Sequence, residues 1–433
     1  MKRMTKSGAL AVALLISPML VIGCGNPTPK PKNPNDVKGQ GDIAATLPKK
    51  PKRKISGASK SSFADAVKRY KAAKKEGINK GNCGGIAEAF GGVYDNDSKV
   101  VEAKFNEGVV YEECGDLAKA EQVYRAILQK HPNHGATLNN MGQLLFARNQ
   151  RAEAQTYFRK AAAAKNSEGY ANLALLQRQR ALGGETQALR DAVNNIHRAL
   201  AVDSFNIEAY NLLSTLLYDH ARTRSQLTMA RLIAVQATKK EPKFAPVYNV
   251  LGLILLKMGK VTPALAEFRK AVARDPNFKE ALMNIGAVTL SFRDYTSAEQ
   301  AFTKVLSLNP DKETKYAATV GLGVALRGRQ KFAEAMAQYQ AAEKILPGNG
   351  DIAYNMGLIV QDYTFDASDP AKGIAQLQKA KGFLDRYMSS GSSKSQIKDT
   401  KRRLKNIKEM IPMLKQQQQM MESMKKNQPA ATK

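Results

Sequence analysis

Tryptophan is absent from the 433 residues, and cysteine and histidine number only three and four. So few soft ligands leave no material for a metal cluster or a disulfide-stapled miniature fold. Acidic residues are scarce as well: 38 Asp and Glu stand against 67 Lys and Arg, a formal net charge of +29. No apolar run reaches the roughly 20 residues that a membrane-spanning helix needs. Nucleophile-elbow, phosphate-loop, HExxH and CxxC patterns are all missing. The carboxylates are scattered, so no catalytic residue, metal or cofactor is expected. What remains is a globular balance, 43% hydrophobic and 24% charged, which excludes wholesale disorder. The length suits two or three domains, or one repeat array that grows by addition.

The first residues read as an export signal. Lys2, Arg3 and Lys6 precede an apolar stretch from Ala9 to Ile22, too short and too interrupted by Pro18 to span a bilayer. It ends in Val21-Ile22-Gly23-Cys24, which resembles the lipobox of bacterial lipoproteins. That resemblance implies cleavage after residue 23 and lipid attachment at Cys24. Gly25 in place of Asp favours the outer membrane by the same resemblance. Residues 24–60 hold six prolines and a net charge of +7 with little apolar surface to bury. They read as a disordered tether reaching on the order of 110 Å at about 3.1 Å per residue. Its cluster Pro48-Lys49-Lys50-Pro51-Lys52-Arg53-Lys54 reads as a solvated spacer or a contact for anionic headgroups. No nucleic acid partner is expected in an exported lipoprotein.

The body repeats. Gly108 and Gly142 are 34 residues apart, as are Gly252 and Gly286, and Gly323 and Gly357. Twelve residues after five of these glycines stands an alanine: Ala120, Ala154, Ala264, Ala298 and Ala335. Four further on is an aromatic: Tyr124, Phe158, Phe268, Phe302 and Tyr339. Units close near Pro132, Pro276, Pro310 and Pro347, since proline cannot continue a helix. Period and internal phase together resemble the tetratricopeptide repeat (TPR). The resemblance implies an all-α, right-handed superhelical solenoid of about eight repeats over 101–390. Small residues let the paired helices approach, and each aromatic fills the gap to the next unit. Two repeats depart from the pattern. One has Ala174 and Ala192 at a spacing of 18, the next Ser214 and Ala230 at a spacing of 16. Longer turns, around Gly183-Gly184 in the first, are expected to absorb the extra residues. Residues 61–100 read as a helical cap. Residues 391–433 read as a capping helix broken at Pro412, then a polar, basic tail.

With Cys24 acylated, Cys83 and Cys114 remain. Cys83 opens one short helix and Cys114 closes the next, so antiparallel neighbours would bring them to the same end. A disulfide is expected, with two buried thiols as the alternative. His131 and His134 have no third or fourth ligand nearby in sequence.

An asparagine row recurs two or three residues before the glycine position: Asn106, Asn140, Asn172, Asn211, Asn249, Asn284 and Asn355. The resemblance implies that this face lines a concave groove, where an amide offers a donor and an acceptor to a peptide backbone. Arg148, Lys257 and Arg327 near the ends of the first helices would add positive charge. As a whole, signal, lipobox, basic leash and TPR array resemble the outer-membrane TPR lipoproteins of the gliding-motility machinery of myxobacteria. The stretch Phe105-Asn106-Glu107-Gly108-Val109-Val110-Tyr111-Glu112-Glu113-Cys114-Gly115 prompts the comparison. The expectation is a lipid-anchored periplasmic scaffold that binds outer-membrane or periplasmic protein partners. The alternatives are an accessory of secretion, pilus or barrel assembly, and a binder of anionic lipid, polysaccharide or lipopolysaccharide.

Overall fold

A computed structural model describes residues 55–79, 81–390 and 394–426. The export signal, Cys24 and nearly all of the tether lie outside the described residues. Two helices open the described chain, α1 (Gly57–Glu76) and α2 (Cys83–Asn96). Eight pairs follow: α3 (Val101–Glu113) with α4 (Leu117–Lys130), α5 (Gly135–Ala147) with α6 (Arg151–Ala163), α7 (Ser167–Leu182) with α8 (Thr186–Val202), α9 (Ile207–His220) with α10 (Arg224–Lys240). Then come α11 (Ala245–Lys257) with α12 (Val261–Arg274), α13 (Lys279–Ser291) with α14 (Tyr295–Ser307), α15 (Lys312–Gly328) with α16 (Phe332–Ile345), α17 (Gly350–Leu358) with α18 (Pro370–Ser390). A π-helical turn, Ile359–Tyr363, extends α17, and α19 (Lys394–Lys426) closes the chain. No strand occurs among the described residues. The helices group into two compact units that divide between Val250 and Leu251.

The two helices of a pair differ in burial for a reason visible in their composition. The first helix is the more buried, and in the regular pairs it is covered nearly all round: α13 buries every residue from Asn284 to Leu290, and α15 every residue from Ala317 to Leu326. Such a helix is stable only when covered on all sides. The second helix is amphipathic and buries a single stripe, Ala264, Phe268 and Ala271 in α12, or Ala335, Tyr339 and Ala342 in α16. The periodic glycine fits the aromatic sixteen residues later. A β-carbon on Gly142 would sit 2.5 Å from the Phe158 ring, on Gly286 2.6 Å from Phe302, and on Gly323 2.7 Å from Tyr339. Phe302 also meets the next pair, since a β-carbon on Gly321 would come within 2.5 Å of it.

Three-residue turns join the helices of the first seven pairs, while a π-helical turn and residues 364–369 separate α17 from α18. The middle residue of the three-residue turns is left-handed at Gly115, Asn149, Gly184, Gly259, Arg293 and Gln330. The following N–H bonds back five residues, as Asp116 does to Tyr111 and Lys331 to Leu326, which satisfies the last carbonyls of the helix. The two irregular repeats keep this turn length. Their extra residues lengthen the helices instead: α7 has 16 residues and α8 and α10 have 17, where α5 and α6 have 13. Added turns of helix extend a packed face, whereas a longer loop would only cost entropy.

In the first unit the cap helices join the core directly. Phe63, Tyr70, Phe90 and Val100 are buried with Tyr124 and Ile127 in one cluster. In the second unit α19 packs on α18 and runs through Pro412 without ending. Pro412 lies on the exposed side, as does Lys408, whose carbonyl loses its helical partner. That carbonyl can be hydrated, while Ile407 and Leu414 hold the helix from the buried side.

Candidate functional site

The asparagine row occupies the first helices, and the structure turns most of it inward. Asn106, Asn140, Asn249, Asn284 and Asn355 are each no more than 3% exposed, while Asn172 and Asn211 are partly exposed. The amides link neighbouring helices. Asn140 Nδ2 donates to Tyr124 Oη at 3.1 Å and to Glu112 Oε2 at 3.4 Å. Asn172 Nδ2 donates to Asn139 Oδ1 at 2.8 Å. Asn355 Nδ2 donates to the Asp351 carbonyl at 2.8 Å, and Asn355 Oδ1 accepts from Arg327 at 2.9 Å. Asn211 is the exception: its backbone carbonyl accepts from the Ser214 and Thr215 hydroxyls within α9, while its side-chain Oδ1 has no hydrogen-bond partner among the described residues. This differs from an open ladder facing a ligand. Closely packed helices cover most of these positions, and a buried amide is normally paired within the fold.

Of the three cations expected to charge a groove, Lys257 is exposed, and Arg148 and Arg327 have partners in the fold. Arg148 bonds Glu121, which also accepts from Arg125 at 2.6 Å. Burial opposes ionisation of Glu121, yet Arg125 and Arg148 together hold its carboxyl below the usual range. Arg327 is the donor to Asn355.

Cys83, the first residue of α2, forms a disulfide with Cys114, the residue that caps α3. Their α-carbons are 6.1 Å apart, and both residues are buried. Beside this link, three of the four glutamates of α3, Glu107, Glu112 and Glu113, face neighbouring groups. Glu107 meets Lys104 at 2.7 Å. Glu113 accepts from Tyr70 Oη at 2.6 Å and from Lys74 at 3.2 Å, which ties α1 to α3. Glu112 is 1% exposed, and its Oε1 has no hydrogen-bond partner among the described residues. Burial pushes its carboxyl up to about 8 from 4.5, and Glu113 adds to the rise against hydrogen bonds from Tyr124 and Asn140. Composition and period said nothing of this node. The signal that could have found it is an acid four residues after the periodic Gly108, where other repeats carry Phe146, Leu256 and Leu290 or a cation, Arg178 and Arg327.

The third and fourth pairs lack the glycine–aromatic fit and use polar links instead. Arg178 Nε bonds Asp219 at 2.6 Å, with side chains 2% and 7% exposed. Asn206 Nδ2 donates to Ser167 Oγ at 2.7 Å, and that hydroxyl donates to the Ala199 carbonyl at 2.9 Å. The two histidines near Pro132 serve helix ends. His134 caps α5 through Thr137, and His131 ends α4. No group of three or more potential metal ligands occurs among the described residues.

A family model described as tetratricopeptide repeat matches residues 87–134, 249–313 and 290–350, and a second of the same description matches 135–165. Similar proteins include human Protein O-mannosyl-transferase TMTC1, 27% identical over 49% of this chain and 23% of its own length. Mouse Superkiller complex protein 3 is 26% identical over 67% of this chain and 18% of its own length. Protein FlbA of Caulobacter vibrioides is 24% identical over 53% of this chain and 40% of its own. The chain thus spans about a fifth of the length of the first two. Among solved structures, Pseudomonas aeruginosa pilF aligns with a TM-score of 0.42 at 18% identity, over 50% of this chain and 94% of that one. A human IFIT1 dimer aligns with a TM-score of 0.48 at 15% identity, over 77% and 83%. With its helix pairs, its glycine–aromatic phase and the matched segments, the chain is an all-α solenoid that carries tetratricopeptide repeats.

Proposed function

We propose that the protein is a non-enzymatic scaffold that holds protein partners together in a bacterial envelope complex. It is anchored by acyl chains on Cys24 to the periplasmic face of the outer membrane and serves a gliding-motility machine. The observation that supports the scaffold is the repeat itself: eight successive helix pairs expose long polar second-helix faces and bury more of their first helices. Such arrays offer extended surface and no enclosed chemistry. Anchoring rests on Val21-Ile22-Gly23-Cys24 at the end of an apolar signal, and three acyl chains exceed the two needed for stable attachment. The motility assignment rests on the combination of signal, leash and array.

The buried amides redirect the test. Replacing Asn140, Asn284 or Asn355 perturbs packing first, so loss of a partner in those variants reports on folding as much as recognition. The decisive experiment is capture of the native chain from crosslinked envelopes, followed by mass spectrometry, with the mass of the Cys24 peptide read in parallel. Stoichiometric recovery of outer-membrane motility proteins supports the full reading. Recovery of secretion or barrel-assembly components keeps the scaffold and moves the machine. A second reading, a binder of anionic polysaccharide, is favoured by the net charge of +29. It would show as glycan recovered with no stoichiometric protein. An unmodified Cys24 would overturn the anchor.

A further inference from the structure

The last helix is longer than the helix it packs on. At 1.5 Å per residue α18 spans about 31 Å and α19 about 50 Å. The buried residues of α19 are Gln396, Thr400, Ile407 and Leu414, and they fall on one seam. Leu414 Cδ1 lies 3.3 Å from where a β-carbon would stand on Gly373, close to the first residue of α18. Past Leu414 the helix continues over residues 415–426 beyond the start of its neighbour.

Two further rows lie away from the seam. Met413, Met420 and Met424 are 69%, 52% and 61% exposed, and their spacings of seven and four put them on one line. Lys398, Lys401, Lys405, Lys408 and Lys415 are all exposed and recur at three, four, three and seven. Round the helix the order is seam, methionines, lysines, so the two rows share the side turned away from α18. Lys405 meets Glu409 only at 3.9 Å, and the other four lysines have no carboxylate partner among the described residues. Neither row serves the packing of the second unit. Charge selects the occupant: a line of about 25 Å between Lys398 and Lys415 is complementary to an extended anionic surface. Long flexible lysines reach a phosphate layer while their stems lie on apolar chain, and methionine adapts to irregular apolar surroundings. A partner helix would instead demand a fixed register, and the seven-residue seam that provides one is already spent on α18.

We propose that the outward face of α19 is a docking surface for an anionic phospholipid bilayer, with Met413, Met420 and Met424 at the headgroup–acyl boundary and the lysine row in the phosphate layer. This contact is separate from the acyl anchor and from the scaffold reading. Each lysine contributes about five-fold to partition into such a surface, so removing four costs on the order of several hundred-fold.

The absence of tryptophan makes the test local. Met420→Trp in the full chain is a single reporter at an exposed site. In vesicles of equimolar phosphatidylglycerol and phosphatidylcholine its emission should shift to the blue and be quenched by brominated acyl chains. In pure phosphatidylcholine it should not, and K401Q/K405Q/K408Q/K415Q should abolish the shift in the anionic vesicles. Met424→Trp should behave alike, and both variants should keep the circular dichroism of the parent. An unshifted emission in the anionic vesicles would overturn the proposal. So would an equal shift in pure phosphatidylcholine, an equal shift with soluble polyphosphate, or a shift that grows with protein concentration in lipid-free buffer.

Discussion

Replacing Glu112 by Gln isolates the cost of ionising one carboxyl inside the first unit. The group is 1% exposed, and burial raises its pKa from 4.5 to about 8. A raised carboxyl stabilises the fold fully below its unfolded pKa. That contribution is lost as pH climbs through the interval, because the unfolded chain releases the proton first. The interval is about 3.5 pH units, and one unit corresponds to about 1.4 kcal/mol, so ionisation costs up to about 5 kcal/mol by pH 8. Glutamine has nearly the same shape, can still accept from Asn140 and carries no titrating proton. At pH 4.5 the variant should match the parent to within about 1 kcal/mol. Its advantage should then grow with pH and level off above 8. Urea unfolding followed by circular dichroism at pH 4.5, 6, 7 and 9 reads this difference, and amide exchange in α3 to α5 localises it. The groups that face the carboxyl are Glu113, Tyr124 and Asn140, so no cation is present to hold it ionised. Parallel profiles for parent and variant would refute the reasoning.

Other expectations follow from the packing. Gly286→Ala puts a β-carbon 2.6 Å from the Phe302 ring. It should destabilise the second unit by about 1–3 kcal/mol in urea unfolding, as overpacking does. Reducing the Cys83–Cys114 disulfide opens a link across 31 residues of sequence. In the chain-entropy model that costs the first unit about 3–4 kcal/mol, visible as a lowered Tm under reductant. Gln330 holds a left-handed turn at φ 64. Gln330→Gly should therefore raise stability by about 0.5–1 kcal/mol, the relieved steric cost less the entropy of glycine.

The repeat was legible because its cause is local. Gly142 and Phe158 can be recognised sixteen residues apart since a ring can pack on a helix only where a side chain is missing. The same reasoning placed Cys83 and Cys114 at neighbouring helix ends. It misjudged the two irregular repeats, because sequence spacing counts inserted residues without saying whether they coil. The extra residues of α7, α8 and α10 continue helices that pack on their pair partners. Pro412 misled for a related reason. A proline ends a helix when the freed carbonyl is buried, and here it faces water while Ile407 and Leu414 stay packed.

The sequence by itself determined the all-helical class, the period and the identity of the close contacts. Each of these depends on one or two residues within a single 34-residue unit. Which polar side chains face a partner was decided only by the tertiary structure, since exposure is set by helices far apart in sequence. Asn140 reads as a groove amide until Tyr124 and Glu112 close over it, and Glu112 reads as an ordinary acid until three helices remove its water. The exposed rows of α19 follow the same logic. Met420 and Lys408 are unremarkable letters until α18 covers one side of their helix and leaves the opposite side open.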